Sequence, residues 1–384
     1  MAGIRTLVLT GSIGNGHLSV ADTYYDALSS TGAEVRVLDS LKMLGRKEYI
    51  AGLAMYRMTL RYQGLFDAFH FSQMRAGGAL GRAADRTSLR KAGRALSGEM
   101  EWLGEGVIFS VFATASAAAA AMRSTHSHIR SVAVVTDATA HALWVHPGTD
   151  LYIVGSALTA ATVRAHDPNA EVAILPPAVR PQFYEALDRT DARHMLSIAE
   201  DARCVLIMTG GWGIGPLAGC ASRLAEDGFV VLAVAGNNKR AGQALRCIAA
   251  SGPTSSGGYV VPFGYTNEVP VLMAACDMVI TASGQTCNEA RVMGRPLLIL
   301  DIVPGHGREN MLHEVESGGA QTSIADPLVV PDAIRKMLER NEEVPRWPVS
   351  SAKEWASLLV HTLDEAGISI TARKNDHGRR NDHG

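Results

Sequence analysis

The chain has few cysteines, and their arrangement excludes two common kinds of stabilised domain. There are five in 384 residues, all in the second half of the chain, and no pair has the spacing Cys-x-x-Cys. Because the number is odd and the spacing is irregular, neither a disulfide framework nor a zinc site is indicated. We therefore expect a reducing, cytoplasmic compartment. The residues are Cys204, Cys220, Cys247, Cys276 and Cys287.

A strong charge of one sign and long apolar runs are also absent. The formal net charge of −2 argues against general nucleic-acid binding. Strand-forming residues begin directly after Arg5, so we expect no signal peptide. The alanine-rich run 106–122 is shorter than the roughly 20 residues that a membrane-spanning helix needs. With 47% hydrophobic and 19% charged residues, the composition instead predicts a globular protein, long enough for two domains.

The stretch 275–310 has the pattern of a ligand-binding βαβ unit. Met278–Thr281 predicts a buried strand, and the small residues Ala282–Thr286 predict a tight turn into a helix. The first N–H groups of a helix lack partners and carry a partial positive charge, so a phosphate fits there. Glu289 follows where a carboxylate can accept hydrogen bonds from a ribose diol. An ordinary βαβ unit, in which small side chains only ease the turn, fits these residues equally well.

Two further glycine-rich turns follow predicted strands. Gly11–His17 comes after a first strand, but its glycine spacing is not the GxGxxG of dinucleotide-binding folds. Asp39, at the end of the next strand, could imitate the ribose-binding acid of such a fold. Thr209–Gly215 is a second possible anion site, at the start of a second sheet. Between the two halves, the proline-stiffened segment 176–181 is the expected connector.

The segment Lys42–Arg94 has an excess of eight positive charges, from eleven Lys or Arg residues against three acids. Aromatic and apolar side chains are interleaved, and a helix would place Tyr49, Leu53, Tyr56 and Leu60 on one face. Such a stretch suits an anionic membrane surface. The alternative is a core-packed helix with a solvated basic face. The basic residues that we expect at the membrane are Arg46, Lys47, Arg57 and Arg61.

Taken in order, the second-half motifs resemble the donor-binding half of GT-B glycosyltransferases. The chain is similar to monogalactosyldiacylglycerol synthases, bacterial diacylglycerol glucosyltransferases and the lipid II N-acetylglucosaminyltransferase over about residues 6–320. The resemblance implies an α/β fold, in which two Rossmann-like domains face each other across a cleft. It implies that a helix start holds the nucleotide diphosphate, that Glu289 holds the ribose and that the final loop contacts the sugar. The donor-binding residues that it implies are Gly211, Gly213, Asn238, Thr266, Ser283, Gly284, Gln285, Thr286, Glu289, His306 and Asn310.

The chain departs from this family pattern at two places. Relatives have a Gln-Glu pair where this chain has His306 and Gly307, so the identity of the sugar is left open. Ser283 replaces a glycine and adds a possible phosphate donor.

The acceptor half also matches the family. Gly14 and Gly16 belong to a Gly-x-Gly-His turn, which in the family lets the acceptor hydroxyl approach. His17 is the implied general base, because an imidazole has its unperturbed pKa near neutral pH. It could instead cap its own helix turn. Asp137 and His141 match the galactolipid-synthase pattern. Asp137 is a candidate to orient a base or contact the acceptor, and His141 is a second candidate base. Either residue could instead be a polar residue that merely ends the strand.

The resemblance predicts transfer of a hexose-type sugar from a UDP-sugar to the hydroxyl of a lipid or amphiphilic acceptor, with inversion. No cofactor is obligatory, since the UDP-sugar is a co-substrate; no metal site is expected, and the sequence has no Asp-x-Asp element. The expected location is the cytoplasm, peripherally on the inner face of an anionic membrane. The alternatives are a polyprenyl-linked or secondary-metabolite acceptor, an epimerase or hydrolase of the same fold, or a non-catalytic UDP-sugar-binding protein.

The predicted domain organisation follows these motifs. We expect an acceptor-side and membrane-side domain over 1–180 and a nucleotide-sugar-binding domain over 181–350. A helix within 351–371 is expected to cross back to the first domain. The polar tail 372–384 repeats Asn-Asp-His-Gly and is expected to be disordered.

Overall fold

Each half of the chain forms a six-stranded parallel sheet. The computed structural model describes residues 4–75, 77–79, 91, 93–340 and 343–371. The first sheet has the strand order β2-β1-β3-β4-β5-β6 and the second has the order β12-β11-β10-β7-β8-β9. The strands are β1 Arg5–Thr10, β2 Glu34–Asp39, β3 Val107–Ser110, β4 Arg130–Val135, β5 Leu151–Val154, β6 Val172–Ile174, β7 Cys204–Met208, β8 Val230–Val234, β9 Tyr259–Phe263, β10 Met278–Thr281, β11 Leu297–Leu300 and β12 Ala320–Ser323.

Helices connect and cover the strands, which confirms the predicted α/β architecture of two Rossmann-like units. A π-helical turn, His70–Arg75, and a 3₁₀ turn, Ser97–Glu99, accompany them. The described α-helices are Asn15–Ser30, Ser40–Met43, Arg46–Arg61, Gln63–Phe69, Met100–Leu103, Ala113–Thr125, Ala157–His166, Pro181–Tyr184, Arg189–Met195, Leu217–Glu226, Lys239–Ala250, Val269–Ala275, Gln285–Val292, His306–Glu316, Val330–Arg340 and Ala352–Glu365.

The strand orders fix where each sheet can bind a ligand. In the second sheet the winding reverses between β7 and β10, and in the first sheet it reverses between β1 and β3. In open α/β sheets, ligands bind beyond the carboxyl ends of the strands at such a reversal point. The turns after β1, β7 and β10 are the small-residue and glycine-rich turns on which the sequence-based site prediction rests.

The strand β6 extends the first sheet beyond β5 in parallel, with Tyr152 opposite Val172. Asp39 does not lie in a nucleotide site: its Oδ1 accepts hydrogen bonds from the N–H groups of Leu41 and Lys42 and so caps the short helix that follows. An aspartate at that position is explained by the cap alone.

The last helix, Ala352–Glu365, packs on the first sheet although it follows the second sheet in the chain. The Trp355 ring lies 5.2 Å from the Tyr24 ring, edge to face, and its Nε1 donates to the carbonyl of Pro176 at 2.7 Å. Leu359 and Leu363 are buried in the same core. The tail 372–384, which we expected to be disordered, lies outside the described residues. In the part of the chain that the structure describes, no helix is long and apolar enough to cross a membrane.

We expect Trp355→Ala to lower the free energy of unfolding by about 3–5 kcal/mol, because it leaves a large cavity against Tyr24 and removes the hydrogen bond to Pro176. Urea denaturation of the full chain, followed by circular dichroism, measures this change. Leu358→Ala, on the same helix but 37% exposed, is the matched control and should cost about 1 kcal/mol or less. Equal losses for the two variants would contradict the packing described here.

Candidate active site

The turns at the two reversal points line a single cleft between the halves. The cleft has a volume of about 870 Å³, and residues from both sheets face it. The two helix starts come close together: a Cβ placed on Gly16 would lie 3.5 Å from the Cβ of Gln285. Asn15 approaches Gly211 so closely that a Cβ on Gly211 would lie 2.6 Å from its Nδ2. The N–H groups at the starts of helices Asn15–Ser30 and Gln285–Val292 therefore face a shared space.

His17 lies in this cleft with one ring nitrogen fixed. Its Nδ1 is 2.9 Å from the carbonyl oxygen of Val111, in the turn after β3, and its ring packs edge-on against Phe112. A carbonyl can only accept, so Nδ1 must carry the proton and Nε2 is the basic nitrogen of the neutral ring. Burial lowers the pKa of His17 below its ordinary value, although the charge of Asp137 opposes that shift. The imidazole is therefore neutral at pH 7 and able to accept a proton at Nε2.

Asp137 is the fixed negative charge on the acceptor side of the cleft. Its Oδ2 accepts a hydrogen bond from Trp144 Nε1 at 2.8 Å. Burial raises the pKa of this carboxyl, but His306, His141 and the Trp144 hydrogen bond together outweigh it, so the pKa lies below its ordinary value. Asp137 therefore remains ionised, where it favours positive charge on a nearby imidazole.

His141 is poorly suited to be the base. It is 5% exposed and does not line the cleft. Its Nδ1 accepts a hydrogen bond from the N–H of Leu143 at 3.2 Å, and its Nε2 lies 3.7 Å from Asp137 Oδ2. Burial lowers its pKa to about 4. A neutral ring with its lone pair already engaged orients Asp137 better than it accepts a substrate proton, so of the two candidates the geometry favours His17.

On the opposite side of the cleft, Ser283–Thr286 form the turn after β10. Helix Gln285–Val292 begins there with no side-chain cap, so its first N–H groups are available to a ligand. Gln285 Nε2 donates to the carbonyl of Ala178 in the connector at 2.6 Å. Ser283 Oγ donates to the carbonyl of Gly307 at 2.7 Å. The Ser283 hydroxyl proton, which we expected to be a possible phosphate donor, is therefore already used within the protein.

Glu289 is buried one turn into this helix, with 4% of its surface exposed, and lines the cleft. Arg180, at the end of the connector, donates from Nη2 to Glu289 Oε1 at 3.0 Å. Burial raises the pKa of Glu289 to about 7, and Arg180 opposes that shift. Arg180 was not predicted as a site residue, because nothing in the sequence around it indicates a partner 109 residues away.

The remaining predicted donor residues divide into two groups. Gly211, Thr266, His306 and Asn310 line the cleft. Gly213 and Asn238 do not: Asn238 Nδ2 donates to the Gly213 carbonyl at 2.8 Å, while its Oδ1 caps the helix Lys239–Ala250. Both polar atoms of Asn238 are thus used to shape the turn. Capping and turn closure account for the sequence pattern of this pair, and its direct contact with the donor stays a prediction.

The loop before Asn310 is also tied to the acceptor half. Asn310 Oδ1 accepts a hydrogen bond from the N–H of Ala138 at 2.7 Å, immediately after Asp137. His306 is the first residue of helix His306–Glu316, and its electrostatic influence lowers the pKa of Asp137 and of His17. The two halves therefore share one electrostatic site.

The basic helix Arg46–Arg61 lies at the edge of the cleft. Two side chains of its aromatic face point into the cleft: Tyr56 and Leu60 line it, and Tyr56 packs edge-on against Trp212. The four basic residues that we expect at the membrane, Arg46, Lys47, Arg57 and Arg61, are all exposed. Arg57 lies over the Trp212 ring. The exposed apolar side chains are Ile50, Met55, Met58, Tyr62 and Leu65.

The described residues contain no group of three or more His, Cys, Asp or Glu side chains arranged to hold a metal ion. The polar groups that line the cleft are instead helix N–H groups, carboxylates and the imidazoles of His17, His306 and His313. Such a set can bind a diphosphate at the helix starts, a diol at Glu289 and a hydroxyl at His17.

Comparison with known proteins gives concordant matches. Residues 17–167 match the family model of monogalactosyldiacylglycerol (MGDG) synthase. The processive diacylglycerol beta-glucosyltransferase of Bacillus pumilus (strain SAFR-032) is 24% identical over 358 residues, covering 88% of each chain. The chloroplastic monogalactosyldiacylglycerol synthase 2 of Arabidopsis thaliana is 30% identical over 200 residues, covering 49% of this chain and 42% of that protein. This chain thus spans less than half of the plant enzyme.

The fold has a counterpart among solved structures. The crystal structure of Acinetobacter baumannii MurG superimposes with a TM-score of 0.56 at 14% identity, covering 94% of this chain and 98% of that chain. At that identity the likeness concerns the fold alone. Together the matches confirm the predicted family resemblance, the GT-B fold and the prediction that the chain is a glycosyltransferase.

The Arg180–Glu289 pair generates a test of the site's electrostatics. We expect Arg180→Gln to raise the pKa of Glu289 further, because burial then acts without the opposing guanidinium. The pKa is measured from the ¹³C chemical shift of the Glu289 side-chain carboxyl, identified by comparison with Glu289→Gln. Arg164→Gln, at an exposed position, is the control and should leave it unchanged. An unchanged or lower pKa in Arg180→Gln would contradict the pairing.

Proposed function

We propose that this chain, a GT-B glycosyltransferase related in sequence to the monogalactosyldiacylglycerol synthases and the bacterial diacylglycerol glucosyltransferases, transfers a hexose-type sugar from a UDP-sugar to the hydroxyl of a lipid acceptor. The observation that carries the proposal is the meeting of two helix starts in one cleft, with Gly16 beside Gln285. His17 stands at the first and Glu289 one turn into the second. An acceptor hydroxyl and a nucleotide diphosphate would thereby meet at the distance that transfer requires.

The donor would bind on the second half. The diphosphate would accept hydrogen bonds from the N–H groups at the start of helix Gln285–Val292, where the helix dipole favours negative charge. The ribose hydroxyls would donate to Glu289, whose second carboxylate oxygen is not paired with Arg180 in the described contacts. His306 and Asn310 would lie against the sugar. The Glu289 carboxylate must be ionised for this role, and Arg180 favours that state.

Transfer would take place between the halves. His17 Nε2 removes the proton of the acceptor hydroxyl, and the oxygen attacks the anomeric carbon as the bond to the diphosphate breaks. The imidazolium that forms is stabilised by Asp137, whose negative charge raises the pKa of His17. The leaving diphosphate keeps the bonding electrons and is stabilised by the helix N–H groups. Direct attack from the opposite side inverts the anomeric configuration. We propose that no metal is obligatory, because the helix start supplies the positive partial charge.

A screen for UDP release tests the function. The protein is incubated with UDP-glucose, UDP-galactose or UDP-N-acetylglucosamine and a total lipid extract, and UDP and radiolabelled lipid are measured together. We expect UDP release that depends on the lipid and is matched by labelled glycolipid. Release without lipid indicates hydrolysis or epimerisation chemistry, and binding without release indicates a UDP-sugar-binding protein. Release that only polyprenyl phosphates or soluble hydroxyl compounds elicit would replace the proposed acceptor class.

The base assignment has its own test. We expect His17→Ala to lower kcat by about 10²–10⁴, because the acceptor hydroxyl then loses its proton acceptor, while UDP affinity measured by calorimetry stays nearly unchanged. His141→Ala is the comparison variant. If His17→Ala retains activity while His141→Ala loses it, the base has been placed on the wrong residue.

We further propose that the helix Arg46–Arg61 and the segment 63–75, which continues it, adsorb to an anionic membrane surface. Arg46, Lys47, Arg57 and Arg61 are exposed, and exposed apolar side chains accompany them, among them Met55 at 68% and Leu65 at 75%. Each basic residue near an anionic bilayer contributes about 1 kcal/mol, screened over a Debye length of roughly 8–10 Å. The cysteines among the described residues are free thiols, which suits the inner, reducing face.

We expect the protein to sediment with anionic vesicles at low salt, to be released by high salt and to bind neutral vesicles weakly. Replacing Arg46, Lys47, Arg57 and Arg61 with Gln should abolish vesicle binding without loss of UDP binding. The control replaces four exposed basic residues elsewhere, Arg164, Arg246, Lys336 and Lys353, with Gln, so that the change in net charge is the same. Equal vesicle binding by both variants, or none by the wild type, would contradict the membrane proposal.

A further inference from the structure

The segment 63–75, which continues the basic helix of the acceptor half, makes its polar contacts with the opposite half at one place. Gln63 Nε2 donates to the carbonyl of Ile302 at 3.2 Å. Asp67, His70 and Arg75 contact the residues that follow, up to Glu309. All of these partners lie in the loop and first helical turn, residues 301–310, that carry His306 and Asn310.

Asp67 is the centre of this contact. Its Oδ1 accepts a hydrogen bond from the N–H of Gly305 at 2.6 Å, and its Oδ2 pairs with Arg308. Arg308 also pairs with Asp301 at 2.9 Å, at the other end of the same loop. The Asp67 carboxylate therefore binds both the backbone of the loop, at Gly305, and Arg308, which pairs with the other end of the loop. The Asp67 side chain is 13% exposed, so solvent screens these interactions only weakly.

The backbone at Gly305 is adapted to this contact. Its φ is +65°, a conformation that favours glycine. A Cβ at this position would lie 2.8 Å from the Phe66 ring and 3.0 Å from the His70 ring. The loop therefore lies against the segment with no space between them.

The helical turn after the loop is held from the same side. Glu309 Oε2 lies 3.0 Å from His70 Nε2, and Glu309 Oε1 accepts a hydrogen bond from Arg75 Nε at 3.0 Å. His70 is completely buried. Asn310, next in the chain, is fixed by the N–H of Ala138. His306 and Asn310 thus stand on backbone that contacts of the acceptor half hold in place.

We propose that Asp67 is a positioning residue that sets donor-sugar selectivity from the acceptor half, by fixing the loop on which His306 and Asn310 lie. This inference rests on the proposed function, because it takes the loop to contact the transferred sugar. It goes beyond that function by assigning a determinant of selectivity to the membrane-side segment, at a residue that does not line the cleft. The uridine and diphosphate contacts lie on other elements and do not depend on Asp67.

The test compares UDP with UDP-sugars by calorimetry. For Asp67→Ala we expect affinity for the preferred UDP-sugar to fall about tenfold or more, while affinity for UDP changes by about twofold or less. The differences in affinity among UDP-glucose, UDP-galactose and UDP-N-acetylglucosamine should become smaller. Asp67→Asn keeps an acceptor for the Gly305 N–H, so its affinity for the preferred UDP-sugar should fall less than that of Asp67→Ala. Asp364→Ala, an exposed residue of the last helix, removes the same charge and should change neither affinity.

A general loss of structure would lower both affinities together, so the ratio of the two separates positioning from instability. If Asp67→Ala does not fold, Arg308→Gln decides the question, because it removes the ion pair from the loop side and should reduce the same ratio. An unchanged ratio in the folded variants overturns the proposal while leaving the donor site intact. A wild-type protein that binds neither UDP nor UDP-sugars overturns the proposed function together with this inference.

Discussion

The position of the cleft depends on the point in each parallel sheet where the strand order reverses. Because all strands of a parallel sheet end at one edge, the turns at the reversal point leave a gap where helix starts are exposed. In the second sheet that gap lies between β7 and β10, and in the first between β1 and β3. The helix Ala352–Glu365, which follows the second sheet in the chain, packs on the first sheet. Helix N–H groups from both halves consequently face one cleft.

In this cleft, the pKa values of Glu289, Asp137 and His17 are each shifted by groups from another part of the chain. Arg180 of the connector opposes the effect of burial on Glu289. Trp144 and two histidines keep Asp137 ionised, and Asp137 in turn opposes the effect of burial on His17. Asn310 reaches across to the backbone beside Asp137. The protonation states that transfer needs therefore depend on the two halves being assembled.

Local patterns in the sequence were sufficient to predict most of the sheets and the turns that line the cleft. Strands such as Met278–Thr281 are buried along their whole length and read as continuous apolar runs, whereas the half-exposed Val172–Ile174 is too short to be recognised. Contacts between distant residues left no local signal. Arg180 meets Glu289 across 109 positions, and Asp67 meets Gly305 across 238. The basic helix was predicted, but the partner of its aromatic face was left open, because periodicity defines a face and not what that face contacts.

The most direct test is a crystal structure of the protein with UDP bound. The account predicts diphosphate oxygens within about 2.7–3.2 Å of the backbone N–H groups at the start of helix Gln285–Val292, and both ribose hydroxyls on Glu289. It also predicts that His17 faces the open space beyond the second phosphate. UDP bound outside this cleft, or in it with the ribose turned away from Glu289, would contradict the account.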